Sequence, residues 1–125
     1  MLLAAAEVIA SVDRETPADQ ALKKRFAADK PSAAGRRAVT DAVFAYFRWR
    51  GWVTQNSAVT RQIQQALDLD AEFQAKPDKF TEQEMAPRAV PGWTRGHMER
   101  PLAWLRELQE HTRLWLRARS YSCWM

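Results

Sequence analysis

The stretch Gly35–Trp52, GRRAVTDAVFAYFRWRGW, constrains what this chain can fold into more than any other segment. It reads as one long helix closed by Gly51, denser in aromatic and basic residues than the rest of the chain. At 100° per residue, Val39, Ala42, Val43, Tyr46 and Phe47 share one broad face, while Arg37, Asp41, Phe44 and Arg48 share the opposite one. A helix with a large aromatic on both sides is central, with neighbours packed nearly all round it. Two readings of its arginines stand side by side. They are solvated, or paired as Arg37–Asp41 at i,i+4, or the arginine-rich ends of a core helix also present a docking surface.

A chain of 125 residues gives that helix one domain to sit in, long enough for a real core. The apolar fraction of 46 % and the charged fraction of 27 % suit a globular domain. No apolar run approaches the roughly 20 residues a membrane span needs. The N-terminal LLAAAEVIA is interrupted by Glu7 and lacks a basic flank, so it does not read as a signal peptide. The single cysteine, Cys123, excludes an internal disulfide framework and any multi-cysteine metal site. These features lead to the expectation of a cytoplasmic protein without a membrane or metal partner.

The charge says more when divided. Residues 1–85 carry 12 Lys/Arg and 12 Asp/Glu, whereas residues 86–125 carry seven arginines against three glutamates. The whole net charge of +4 therefore falls in the C-terminal third. A mild excess of this size permits nucleic-acid binding without demanding it. Arginine is the residue suited to bidentate phosphate contacts and to stacking on bases.

Along the chain, Leu3, Ala6, Ile9 and Ala10 mark a first helix from Leu2 to about Val12, ended by Asp13–Glu15. Thr16 as N-cap, Pro17 at the first helical position and Asp19 at N3 start a second helix running to about Ala28. It carries the basic cluster Lys23-Lys24-Arg25, read as a solvated face with phosphate contact as the alternative. Lys30-Pro31 breaks the chain and Ser32 caps the central helix. Asn56-Ser57 is a break that can cap a fourth helix, Ala58 to about Phe73, in which Val59, Ile63, Ala66 and Leu67 line one stripe. Arg61, Gln62, Gln64 and Gln65 are expected to face away, and Asp68, Asp70 and Glu72 to form a solvated acidic end that lacks the glycine and oxygen spacing of an EF-hand loop.

Residues 74–96 hold Pro77, Pro87, Pro91, Gly92 and Gly96, and admit only a short helical turn at Thr81–Met85 behind a capping signal. A further helix fits from His97 to Glu110, with Met98, Leu102, Leu105 and Leu108 on one side and Pro101 in its first turn. Thr112–Ala118 alternates polar and apolar residues, a strand pattern with no partner strand. The fold class expected is all-α, a bundle of five or six helices with a short orphan strand near the C-terminus.

Most catalytic signatures are absent from the sequence. It holds no phosphate-binding glycine loop, no dinucleotide fingerprint and no H-E-x-x-H pair. His97 and His111 flank one helix without Cys, Asp or Glu at ligand spacing. Cys123 has no histidine at a recognisable distance and no helix start to activate it. What remains is arginine interleaved with Trp93, Trp104 and Trp115, the pattern of a binding surface rather than of an enzyme.

Two stretches together resemble a known family. GRRAVTDAVFAYFRWRGW looks like the third helix of the N-terminal domain of Sun/RsmB-like rRNA cytosine-5 methyltransferases, with Arg37 matching its first arginine and Phe47-Arg48 its closing hydrophobic-Arg step. Val90-Pro91-Gly92-Trp93 resembles the family's proline-tryptophan step. LREL followed by RLWLRARS resembles the lead into the first strand of the catalytic region, with Arg117 at its Leu-Arg step. The resemblance spans nearly the whole chain. It implies a NusB-like, RNA-associated helical domain over residues 1–111, and over 112–125 the start of a catalytic region that is missing, with a divergent SYSCWM tail.

The same resemblance implies that S-adenosylmethionine is used only by that missing domain, so no cofactor is expected in this chain. Cys123 stands in Ser-Cys-Trp rather than the family's Pro-Cys or Thr-Cys contexts, so no catalytic role transfers to it. The expected function is an accessory, non-catalytic one: holding structured rRNA through phosphate contacts and presenting a cytosine to the catalytic domain. The arginines expected to do so are Arg36, Arg37, Arg48 and Arg50 around the central helix, and Arg113, Arg117 and Arg119 on the strand. The competing expectation is a protein-interaction or dimerisation module, favoured by six tryptophans and an unpaired strand edge. A complete small methyltransferase is a third reading, disfavoured by the lack of a cofactor loop.

Overall fold

The computed structural model describes residues 1–89 and Gln109. Among them are five α-helices and no strand: α1 (Leu2–Ser11), α2 (Ala18–Asp29), α3 (Ala33–Arg48), α4 (Val59–Ala75) and α5 (Glu82–Ala89), with a 3-10 turn at Pro77–Lys79 between the last two. The protein is an all-α bundle, as expected. The helix expected at His97–Glu110 and the strand at Thr112–Ala118 lie outside the described residues, Gln109 apart.

The central helix is central in fact. α3 packs against α1, α2 and α4, and α1 in turn touches α2 and α4. Val39, Ala42, Val43 and Tyr46 are buried, and with Ala5, Val8, Ala21, Leu22 and Ile63 they form a core shared by α1 to α4. Phe44, on the opposite face, stays exposed. A second core lies toward the C-terminal end of α3, where Ala45, Trp49, Val53, Ala66, Phe73, Phe80 and Met85 are buried. Trp49 is its hub, with ring centroids 5.0 Å from Trp52, 5.6 Å from Phe73 and 5.4 Å from Phe80. The tilted and edge-on ring angles suit the aromatic quadrupole.

Helix boundaries follow local chemistry with informative exceptions. Ser32 caps α3 as expected, its Oγ accepting from the Gly35 N–H at 3.1 Å. α2 starts one residue late: Pro17 is extended, with φ −63° and ψ 161°, and stands at the N-cap. Thr16 gives no cap bond because Asp13 organises the loop, its Oδ1 accepting from Glu15 N at 2.8 Å and Thr16 N at 2.7 Å. Ser57 does not cap α4 either; its hydroxyl donates to the Thr54 carbonyl at 2.7 Å. α5 runs past the expected Thr81–Met85 turn and through Pro87 to Ala89. It is anchored by fully buried Met85 and capped by Thr81, whose Oγ1 accepts from Glu84 N at 3.3 Å.

The fourth helix corrects two expectations. Gln62, expected to face away, is only 5 % exposed, and its side-chain NH2 donates to the carbonyls of Thr54, Gln55 and Ser57 at 3.0–3.1 Å. A long amide suits this place because the loop before α4 leaves carbonyls that no helix satisfies, and Gln62 reaches them. Val59, expected in the apolar stripe, is 40 % exposed at the first turn. The acidic end is not merely solvated. Asp70 receives two bonds from α3 and the residue after it, Glu72 pairs with Lys79, and Asp68 accepts from Gln64 at 3.0 Å.

Candidate nucleic-acid interface

The four arginines expected on the central helix fall into two places. Arg37 and Arg48 are eleven residues apart, roughly 16 Å along a helix rising 1.5 Å per residue, so no single small ligand reaches both ends. At the N-terminal end Arg36 lies with its guanidinium 5.9 Å from the centroid of Phe26, an exposed cation–π contact between α3 and α2. Arg37 is exposed beside Ala33, Ala34, Ala38 and Asp41 on a shallow surface. No ion pair joins Arg37 to Asp41 among the described residues.

The basic cluster of α2 has a structural use. Arg25 pairs with Glu7 of α1 and with Asp29 one turn further along its own helix. The hydrogen bonds that the guanidinium donates to Glu7, then to Asp29, hold it above its ordinary pKa. Lys23 and Lys24 are exposed.

At the other end of α3 the geometry is richer. Arg48 Nη1 donates to Asp70 Oδ1 at 2.9 Å, with only 20 % and 13 % of the two side chains exposed. The charge of Arg48, expected to serve as a phosphate contact, is met by Asp70, and the pair ties α3 to α4. Arg50 lies beyond the helix on an exposed loop, which Gln55 braces by donating to the carbonyls of Arg50 at 2.8 Å and Val53 at 3.2 Å.

Arg48 and Arg50 open onto a pocket of about 510 Å³ walled also by Phe47, Gly51, Trp52, Gln55, Arg88 and Gln109. Gly51 is what permits it to close. A Cβ there would stand 2.2 Å from the backbone oxygen of Arg88, so the end of α5 lies directly against the loop after α3. Its φ is not positive, so Gly51 serves close approach, and α3 ends at Arg48, short of the closure at Gly51 that was expected.

Arg88 is the functional candidate that sequence reasoning counted only as charge. The signal that could have found it was a glycine between Arg50 and Trp52 in a segment that needed no turn residue of positive φ. Arg50 and Arg88 enter none of the ion pairs among the described residues. Gln109 is only 3 % exposed, and its Oε1 has no hydrogen-bond partner among the described residues. A buried acceptor left so costs about 1–3 kcal/mol.

Among the described residues no group of His, Cys, Asp or Glu is placed to hold a metal ion, and no helix is long and apolar enough to cross a membrane. Arg113, Arg117 and Arg119 lie outside the described residues. Comparison with protein-family models, with curated proteins and with solved structures finds no match to this chain.

Proposed function

We propose that this chain is an RNA-binding accessory domain, NusB-like in kind, that positions rRNA for an S-adenosylmethionine-dependent cytosine-5 methyltransferase and supplies no chemistry of its own. The observation that carries the reading is the juxtaposition of Arg50 and Arg88, neither paired with a carboxylate among the described residues, on a pocket walled by Trp52 and Phe47. Guanidinium groups beside an aromatic wall are the combination that RNA recognition uses, one holding phosphate and the other a base. The link to rRNA methylation comes from the resemblance of Gly35–Trp52 and of the arginine-rich C-terminal segment to the Sun/RsmB-like family.

Fluorescence anisotropy of labelled rRNA fragments against the full chain tests the reading. Binding should weaken with salt, log K against log salt falling with a slope of at least about −1.4 if two phosphates of a single strand are engaged. Failure to bind at low salt, or an affinity indifferent to salt, overturns it.

A further inference from the structure

Arg50 and Arg88 come from distant parts of the chain and line one pocket where Gly51 admits the α5 backbone. Two exposed cations lining one pocket make it a favourable place for an anion. Arg48, the third cation of the wall, is matched by Asp70. Among the described residues, the cations of the pocket without a carboxylate partner are therefore Arg50 and Arg88.

The wall beside them is flat and stiff. Trp52 is half-buried, and its ring meets fully buried Trp49 edge-on, with centroids 5.0 Å apart at 71°. Its own N–H donates to the Trp49 carbonyl at 2.9 Å, so both backbone and ring are held. A pocket of about 510 Å³ lies within the size range of small-ligand sites. Gln109 adds a buried acceptor without a partner among the described residues.

We infer that this pocket is a subsite for one unpaired RNA nucleotide, its phosphate held between Arg50 and Arg88 and its base laid against Trp52. The inference rests on the RNA-binding reading above and adds where on the chain, and to what form of RNA, it applies. An acidic peptide would satisfy the two cations yet leave the indole wall without a flat partner. A duplex presents phosphates but keeps its base faces stacked inside. An unpaired nucleotide carries both an anion and an exposed ring, joined by one sugar.

The test uses the full chain with a fluorescein-labelled ten-nucleotide single-stranded RNA, a blunt RNA duplex of the same length and a polyglutamate peptide, all at low salt. The single strand should bind tighter than the duplex and the peptide. Arg50→Ala and Arg88→Ala should each weaken it about tenfold, and Trp52→Leu by a similar factor. Arg50→Lys and Arg88→Lys should recover part of the loss. Arg36→Ala and Arg37→Ala, at the far end of α3, should stay within about twofold. Circular dichroism confirms folding, and Arg50 and Arg88 are both exposed, so their removal leaves the cores intact.

If the wild type binds RNA and the Arg50 and Arg88 variants bind equally well, the subsite is wrong while the RNA reading stands. A preference for duplex or for polyglutamate also overturns the subsite. If the wild type binds no RNA, the broader reading falls and the subsite with it.

Discussion

The indole N–H of Trp49 donates to Oδ1 of Asp70 at 2.9 Å, so the fully buried hub of the second core is hydrogen-bonded to a carboxylate on α4. The same oxygen accepts from Arg48 Nη1 at 2.9 Å. One atom thus satisfies a buried donor and a largely buried cation at once. Asp70→Ala should destabilise by about 2–4 kcal/mol, because it removes this shared acceptor from both groups. Asp70→Asn keeps an acceptor for the indole and should cost roughly half as much. Urea denaturation measures this, and an Asp70→Ala midpoint unchanged from wild type would remove Asp70 from the scaffold.

Gly51 and Arg88 make the second test. A Cβ at position 51 would overlap a backbone oxygen, which cannot swing aside as a side-chain tip can. Gly51→Ala should therefore cost about 1–3 kcal/mol, the range for overpacking. Because the clash pushes α5 away, it should also weaken binding of single-stranded RNA. Stability and affinity both equal to wild type would mean that α5 does not sit against this loop.

Gln62 predicts a pH signature. Its NH2 serves three loop carbonyls, so Gln62→Leu should cost about 2–3 kcal/mol and loosen residues 54–57. Gln62→Glu faces those carbonyls with a carboxylate, which favours the protonated form in the folded state and raises its folded pKa. The folded state then binds more protons than the unfolded one, so this variant should gain stability as pH falls from about 7 to about 5. A variant whose stability relative to wild type is flat across that window contradicts the arrangement.

Lys30 offers a stabilising change. It closes α2 in the left-handed region, with φ 48° and ψ 53°, and is the one non-glycine of positive φ among the described residues. Lys30→Gly should raise stability by about 0.5–1 kcal/mol, whereas Lys30→Val should lower it, since a branched Cβ suffers most there. Thermal melts of the two variants should move in opposite directions.

Much of the bundle follows from near-neighbour chemistry. The apolar spacing of Val39, Ala42, Val43 and Tyr46 marks the buried face of α3, and Ser32 marks its start, because both depend on residues within a turn or two. Where a residue could serve two partners, local reasoning chose wrongly. Asp13 took the loop amides that Thr16 was expected to organise around, and Gln62 turned inward to carbonyls its own helix does not expose.

The pocket belongs wholly to tertiary structure. Arg48 and Arg50 look alike in the sequence, yet one meets Asp70, twenty-two residues away, and the other meets none of the described carboxylates. Arg88 joins them where α5 crosses Gly51. Charge counts are additive along a chain, but pairing and desolvation are set by distances in space. That is why composition could point to arginine as the binding residue, and only packing could say which arginines are left without a carboxylate partner among the described residues.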